Sequence, residues 1–162
     1  MIVVSDTSPI TNLIQINKLE ILRLLFQKII IPVSVFEELN KIKSQKEIIQ
    51  NSDWIEIKSA IDRDSIKLLQ QKIDFGEAES IILAGELHAD FLLIDELKGR
   101  KLAEQNGLKI IGLLGVLLKA KKEKLIPEIK PLLDSLINDA SFRIHPMLVN
   151  DLLIAAGEQG EN

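Results

Sequence analysis

The sequence predicts an α/β protein in which helices cover both faces of a central parallel sheet of about five strands. Short aliphatic runs, each suited to a buried strand, alternate along the chain with segments whose apolar residues recur at helical spacing. The runs are apolar almost throughout, which is typical of parallel strands that are buried on both faces. With 162 residues, 46% of them hydrophobic, the chain can bury the core that such a three-layer α/β/α fold requires.

Five of the aliphatic runs are predicted to be strands, and the segments between them are predicted to be helices. Pro32 stands just before one predicted helix, and Gly107 is a suitable terminator for another. The predicted strands are Ile2–Val4, Ile29–Ile31, Ile55–Ile57, Phe91–Ile94 and Ile110–Ile111. The predicted helices are a segment from Ile10 and then Asn17–Phe26, Val33–Ile42, Asp62–Ile73, Gly76–His88 and Leu97–Asn106.

The pattern becomes helical throughout after Leu114. Three further helices are predicted there, two of which would start at Pro127 and Pro146, because proline is favoured in the first helical turn. Residues 1–125 are therefore expected to form the α/β core, and residues 126–162 a helical extension packed on it within the same domain. The three helices are Leu114–Lys124, Pro127–Ile137 and Pro146–Ala156.

Composition excludes several classes of site. The chain has no cysteine, so it has no disulfide framework, thiolate zinc site or cysteine nucleophile, and a cytoplasmic location is expected. His88 and His145 are far apart and flank predicted helix ends, which argues against a zinc site or a histidine triad. No glycine-rich phosphate-binding motif is present. No apolar run is long enough to span a membrane. Because the net charge is −4, nucleic-acid binding would require local basic patches or bound cations.

The stretch VVSDTSPITNL, residues 3–13, places Asp6 directly after the first strand. Two interpretations are open. Aspartate commonly caps a helix by accepting backbone N–H groups. In an open α/β sheet, however, ligands bind beyond the carboxyl ends of the strands, where an acid can belong to an active site.

Other acids are predicted to lie at the same edge. Asp95 ends the strand in FLLIDE, with Glu96 next to it. The helix VFEEL follows the second strand, and helical periodicity places Glu38 beside its apolar face and Glu37 toward solvent.

Two more acids, Glu77 and Glu79, fall in the first turn of the helix in DFGEAESIILAGEL. Either could simply complement the helix dipole. Because this helix is apolar almost all round, periodicity does not decide which of the two faces the sheet edge.

Considered together, these carboxylates point to a cation site. Clustered carboxylates raise one another's pKa unless a cation is bound between them. Oxygen-only ligand sets suit Mg²⁺ or Mn²⁺, whose usual work in such sites is to generate hydroxide and stabilise a phosphoryl transition state.

The same segments carry a resemblance to a known family. VVSDTSPITNL, IIIPVSVFEEL, DFGEAESIILAGELHADFLLIDELKGRKLAEQNGLKIIG and LLGVLLKAKKEKLIPEIKPLLDSL together resemble PIN-domain proteins. More narrowly, they resemble an uncharacterised prokaryotic PIN-like subfamily related to VapC-type toxins. The resemblance runs from about Val3 to Ala156.

The resemblance implies a PIN-like three-layer fold, an acidic Mg²⁺ or Mn²⁺ site and cleavage of single-stranded RNA. It assigns catalysis and metal binding to four acids and leaves Glu79 and Glu96 as alternatives to the last two. It also implies an antitoxin partner and a homodimer. The four acids are Asp6, Glu38, Glu77 and Asp95.

Polar and basic residues near these acids are candidate substrate contacts. The first three of them resemble the polar residues that accompany the first acid in the family, although turn and helix-start chemistry accounts for them equally well. The two basic candidates, Lys98 and Arg100, follow Asp95 closely in the sequence and could steer a phosphate backbone toward the acids. The candidates are Thr7, Ser8, Asn12, Lys98 and Arg100.

The expected function is a metal-dependent endoribonuclease, with a non-catalytic PIN-like module that binds RNA or protein as the alternative. The segment LEILRLLF, residues 19–26, is apolar on more than one face. A symmetric partner would bury the second face, which predicts a homodimer. The C-terminal arm from Pro127 to Ala156 could instead cover this face within one chain.

Overall fold

The computed structural model describes residues 1–160 and contains a five-stranded parallel sheet. The strand order is β3-β2-β1-β4-β5, which confirms the predicted fold class. The strands are β1 (Val3–Ser5), β2 (Ile29–Pro32), β3 (Ile55–Lys58), β4 (Phe91–Leu93) and β5 (Ile110–Ile111). The helices are α1 (Thr7–Gln15), α2 (Glu20–Phe26), α3 (Val33–Leu39), α4 (Lys43–Gln50), α5 (Arg63–Leu69), α6 (Phe75–Glu86), α7 (Leu97–Gln105), α8 (Leu113–Lys122), α9 (Lys130–Asn138) and α10 (Pro146–Ala155).

Alternate residues of the strands enter two different hydrophobic cores. In β1, Val3 belongs to one core and Val4 to the other, as the two-residue period of a strand requires. The first core includes residues of α1, α2, α8, α9 and α10, and the second includes residues of α5, α6 and α7. The sheet is therefore the middle of three layers, and continuous apolar strands are needed because both faces are buried.

Four helices differ from the prediction by three or four residues at one end: the helix expected from Asn17 begins at Glu20, the helix expected to run to Ile73 ends at Leu69, and two more have a clear structural reason. The helix expected from Pro127 begins at Lys130, because Ile126 and Ile129 are drawn into the core and hold the preceding segment out of helical form. The helix expected to run to Ile42 ends at Leu39, and α4 follows it. Ile42 has an extended backbone, with φ −108° and ψ 117°, which separates the two helices.

The C-terminal helices pack against the same core as the sheet. Leucines of α9 and α10 contribute to it. The buried carboxylate of Glu158 accepts hydrogen bonds from Lys121 Nζ at 2.9 Å and from the backbone N–H groups of Ile129 at 2.7 Å and Lys130 at 3.0 Å. The division between residues 125 and 126 stays a prediction. Positions 161 and 162, the end of the expected extension, lie outside the described residues.

The apolar residues of the α2 segment are largely covered within one chain. Of the six in LEILRLLF, four are buried, Leu25 is half-buried, and Leu24 is 52% exposed. α8 packs against this helix. A homodimer therefore stays a prediction. Among residues 1–160, no helix combines the length and apolarity needed to cross a membrane.

Candidate acidic site at the carboxyl edge of the sheet

Asp6 lies where β1 ends at the centre of the sheet. Its backbone N–H donates to the carbonyl of Leu93 in β4 at 2.9 Å, which continues the strand pairing to this residue. The side chain makes no capping hydrogen bond to α1, so the capping interpretation is not supported. The carboxyl group is instead buried at the end of two neighbouring strands.

Three carboxylates surround the open space at Gly76, the second residue of α6. A Cβ atom placed on Gly76 would lie 3.3 Å from Glu38 Oε2, 3.6 Å from Asp6 Oδ1 and 3.6 Å from Asp74 Oδ1. A side chain at this position would therefore occupy the space between these oxygens. The convergence joins acids from the end of β1, from α3 and from the start of α6.

Asp74 is a member of this group that the sequence pattern alone does not single out. It is the N-cap of α6 and accepts the backbone N–H of Glu77 at 2.8 Å. Its signal in the sequence is the D-x-x-E spacing of a capping box, which can position an acid as well as start a helix.

Glu77 belongs to the same acidic site. Its side chain is buried, and burial raises the pKa of the carboxyl to about 7, with the nearby negative charges of Asp74, Glu96 and Glu38 adding to the effect. The pKa of Asp6 is likewise raised to about 7, first by burial and then by Glu77, Asp74 and Glu38. We call these five acids, Asp6, Glu38, Asp74, Glu77 and Glu96, the acidic site.

Glu79 lies elsewhere, although it is only two residues from Glu77. Its carboxylate is 1% exposed and accepts the backbone N–H of Ser34 at 3.0 Å, the backbone N–H of Ala60 at 3.3 Å and Arg63 Nη1 at 2.7 Å. These donors lower the pKa of the carboxyl despite its burial. Glu79 thus ties α6 to α3 and to the loop before α5.

The carboxylate of Asp95 is held at the start of α8. Asp95 Oδ1 accepts the backbone N–H of Leu113 at 2.9 Å, at the start of that helix, while Oδ2 is buried without a partner. Burial raises the pKa of Asp95, and the charge of Arg100 opposes the increase. The charge of Glu96, by contrast, acts on Glu77. Of the two neighbouring acids, Glu96 is the one whose charge acts on a member of the acidic site, and the choice of ligand between them stays a prediction.

A family model named DUF3368 and described as a PIN domain matches residues 2–158, almost the whole chain. The chain belongs to the PIN-domain family. No curated protein matches it.

The donor set of this PIN domain fits a hard divalent cation. All five groups offer carboxylate oxygens, and a cation would relieve the burial and repulsion that raise the pKa of Asp6 and Glu77. Within residues 1–160, however, no three Asp, Glu, His or Cys side chains are arranged to hold an ion as they stand. Binding would therefore require these carboxylates to turn toward one another.

The predicted substrate contacts of the PIN domain lie on two sides of the acidic site. Thr7 Oγ1 donates to Glu38 Oε2 at 2.9 Å. Ser8 and Asn12 join Thr7 and Glu38 in the lining of a polar depression of about 370 Å³. Lys98 is exposed on the first turn of α7. Arg100 lies instead beside Asp95, in a separate pocket of about 560 Å³.

Proposed function

We propose that this PIN-domain protein is a metal-dependent endoribonuclease that hydrolyses phosphodiester bonds in single-stranded RNA. The observation that carries the proposal is the convergence of Asp6, Glu38 and Asp74 around Gly76, with Glu77 buried beside them. PIN domains are commonly nucleases. A nuclease of this kind needs carboxylates gathered at one edge of the sheet, and the chain gathers them at the edge where α/β proteins bind ligands.

Mg²⁺ or Mn²⁺ is the proposed cofactor, since PIN domains typically use divalent metals. Asp6 and Glu77 would be its principal ligands, because they are the buried members of the site, and Glu38, Asp74 and Glu96 would complete the set directly or through water. When bound, the ion would supply a nucleophilic hydroxide and stabilise the charge of the phosphoryl transition state.

The chain's own residues prepare the site for this chemistry. The hydroxyl of Thr7 holds Glu38 in place by a hydrogen bond, and the N-cap role of Asp74 fixes that carboxylate to the start of α6. Since Asp6 and Glu77 titrate near pH 7, their protons can leave at physiological pH when a cation arrives.

Asp95 supports this arrangement from outside the acidic site. Its bond to the Leu113 N–H fixes the turn between β4 and α7, from which Glu96 projects. We therefore propose Glu96 as the acid from this turn that acts on the metal, and Asp95 as a residue that positions it.

Cleavage of a fluorescently labelled single-stranded RNA tests the proposal. Wild-type protein should cleave it with Mg²⁺ or Mn²⁺ and not with EDTA. Asp6→Asn should lower the rate at least about a hundredfold, since metal-site carboxylates carry this chemistry. Glu104→Gln is the matched control, because it removes an exposed acid at the far end of α7.

Two results would contradict the proposal. Cleavage by a folded Asp6→Asn protein at the wild-type rate would show that the acidic site is not the catalytic site. RNA binding without cleavage under any metal condition would favour the alternative, a non-catalytic PIN-like module.

The proposed biological role is that of a toxin in the cytoplasm, held inactive by an antitoxin protein and present as a homodimer. The resemblance to VapC-type toxins supports this role. Expression of the wild type should arrest growth, whereas Asp6→Asn should not. Light scattering should give twice the 18.2 kDa of one chain; a mass of one chain would exclude the homodimer.

A further inference from the structure

A second polar pocket adjoins the acidic site through the first residues of α6. It has a volume of about 330 Å³ and is lined in part by Ser34, Glu37, Ser59, Arg63 and Phe75. Phe75 stands between Asp74 and Gly76 in the sequence, so the pocket begins where the acidic site ends. We call it the Phe75 pocket.

An aromatic ring and a guanidinium group form one wall of this pocket. The guanidinium carbon of Arg63 lies 5.5 Å from the centre of the Phe75 ring. Phe75 is 37% exposed, even though most residues of α6 are buried, so its ring is accessible to a ligand. Exposed aromatic rings and arginine planes are the surfaces on which proteins stack unpaired bases.

Arg63 is held in this position by the protein itself. Its Nη1 donates to Glu79 Oε2 at 2.7 Å and to the carbonyl of Ala60 at 3.4 Å. Glu79 is in turn fixed by two backbone N–H groups and is 1% exposed. The stacking surface is therefore preorganised, which reduces the entropy that a ligand would lose on binding.

The remaining wall offers hydrogen-bonding groups. Glu37 is exposed and presents carboxylate oxygens as acceptors. Ser59, in the same lining, is also exposed and presents a hydroxyl group, whereas the hydroxyl of Ser34 is fully buried on the Glu79 side. A flat aromatic surface beside exposed polar groups matches a nucleobase, whose faces stack and whose edge forms hydrogen bonds.

We propose that the Phe75 pocket binds a nucleobase of the RNA strand, next to the phosphodiester that lies at the acidic site. This inference rests on the proposed function for the identity of the strand. The base stacks on an open face of the Phe75–Arg63 pair, and its edge meets Glu37 and Ser59. The pocket fixes which phosphodiester reaches the carboxylates, because Phe75 lies between Asp74 and Gly76 at the start of α6.

The test measures binding of a short single-stranded RNA by fluorescence anisotropy with Ca²⁺ in place of Mg²⁺ and Mn²⁺, so that the carboxylates are neutralised and binding is measured separately from cleavage. Phe75→Leu keeps the apolar bulk and removes the ring, and it should weaken binding about tenfold, as expected for loss of one stacked base. Phe75→Tyr keeps the ring and should bind as the wild type does. Thermal unfolding of both variants checks that they are folded.

A set of RNAs with an abasic nucleotide at one position at a time makes the test specific for stacking. The wild type should lose about tenfold in affinity for one of these RNAs. Phe75→Leu should bind that RNA and the intact RNA equally, because the contact is already lost. The two losses should thus not add.

Three outcomes would overturn the inference. The first is equal binding of the intact RNA by the wild type and Phe75→Leu, and the second is no RNA binding by the wild type. The third is that Phe75→Leu loses the same factor in affinity, relative to the wild type, for the intact RNA and for the abasic RNA. Failure of the nuclease proposal would look different. In that case the wild type would bind RNA with the predicted dependence on Phe75 but would not cleave it with metal.

Discussion

Replacing Asp6 with asparagine should make the metal-free protein more stable at neutral pH, although it removes a buried residue of the site. Burial and three neighbouring acids raise the pKa of Asp6 from 3.8 to about 7. Since one pKa unit corresponds to about 1.4 kcal/mol, the ionised carboxylate destabilises the native state by up to about 4 kcal/mol. Asparagine removes the charge but is itself a buried polar group, and the neighbouring acids titrate together with Asp6, so we expect Asp6→Asn to recover about half, about 2 kcal/mol.

The sign of the pH dependence follows from the same shift. A carboxyl whose pKa is raised by folding binds its proton more tightly in the native state than in the unfolded chain. Its contribution to stability is fully present below about pH 4 and is lost as the pH rises through about 7. Wild-type protein in EDTA should therefore lose stability over this window, and Asp6→Asn should lose less.

Urea unfolding at about pH 5 and about pH 8, in EDTA, measures both quantities. Glu104→Gln serves as the control, because this exposed acid should leave the free energy of unfolding within about 0.5 kcal/mol of the wild-type value. The reasoning would be refuted if Asp6→Asn were less stable than the wild type at about pH 8. It would also be refuted if the two proteins lost the same stability between the two pH values.

Three further predictions concern neighbouring residues. In urea unfolding at neutral pH without metal, Glu77→Gln should stabilise the protein. Glu79→Ala should destabilise it by about 3 kcal/mol, because two backbone N–H groups and an arginine lose their acceptor. Changes of the same sign in the two variants would contradict the roles assigned to these residues. Gly99→Ala should lower stability by about 1–3 kcal/mol in thermal unfolding, since its Cβ would lie 2.7 Å from Cδ1 of the buried Ile94. An unchanged melting temperature would show that this contact is not tight. Thr7→Val should lower the rate of metal-dependent cleavage of the labelled RNA several-fold, whereas Thr7→Ser should not. Equal cleavage rates for the two variants would mean that the hydroxyl does not hold Glu38.

The sheet could be predicted from the sequence because its strands are buried on both faces. A short, continuous aliphatic run such as Ile29–Ile31, set between helical segments, is typical of a central parallel strand. The polar helix α4 could not be predicted for the opposite reason, since only Gln45 and Ile49 in it are buried and only two of its eight residues, Ile48 and Ile49, are apolar. Pro127 is misleading because Ile126 and Ile129 anchor the chain to the core before the helix begins.

The candidate site shows where sequence reasoning reaches its limit. Asp6 and Glu38 could be placed at one edge because each follows the carboxyl end of a predicted strand and helical periodicity selects Glu38 over Glu37, and both signals lie within short stretches of the chain. The distinction between Glu77 and Glu79 does not, because it depends on Ser34, Ala60 and Arg63, which come from other parts of the chain. The orientation of Asp95 likewise depends on the distant start of α8.

Calorimetric titration of Mn²⁺ into the metal-free protein tests most directly the claim that the acidic site is a cation site. Wild-type protein should bind the ion with release of protons, since Asp6 and Glu77 carry protons near pH 7 in its absence. Asp6→Asn and Glu77→Gln should abolish that binding, while Glu104→Gln should retain it. Binding that persists in Asp6→Asn with the same affinity, or no binding by the wild type at millimolar Mn²⁺, would contradict the claim.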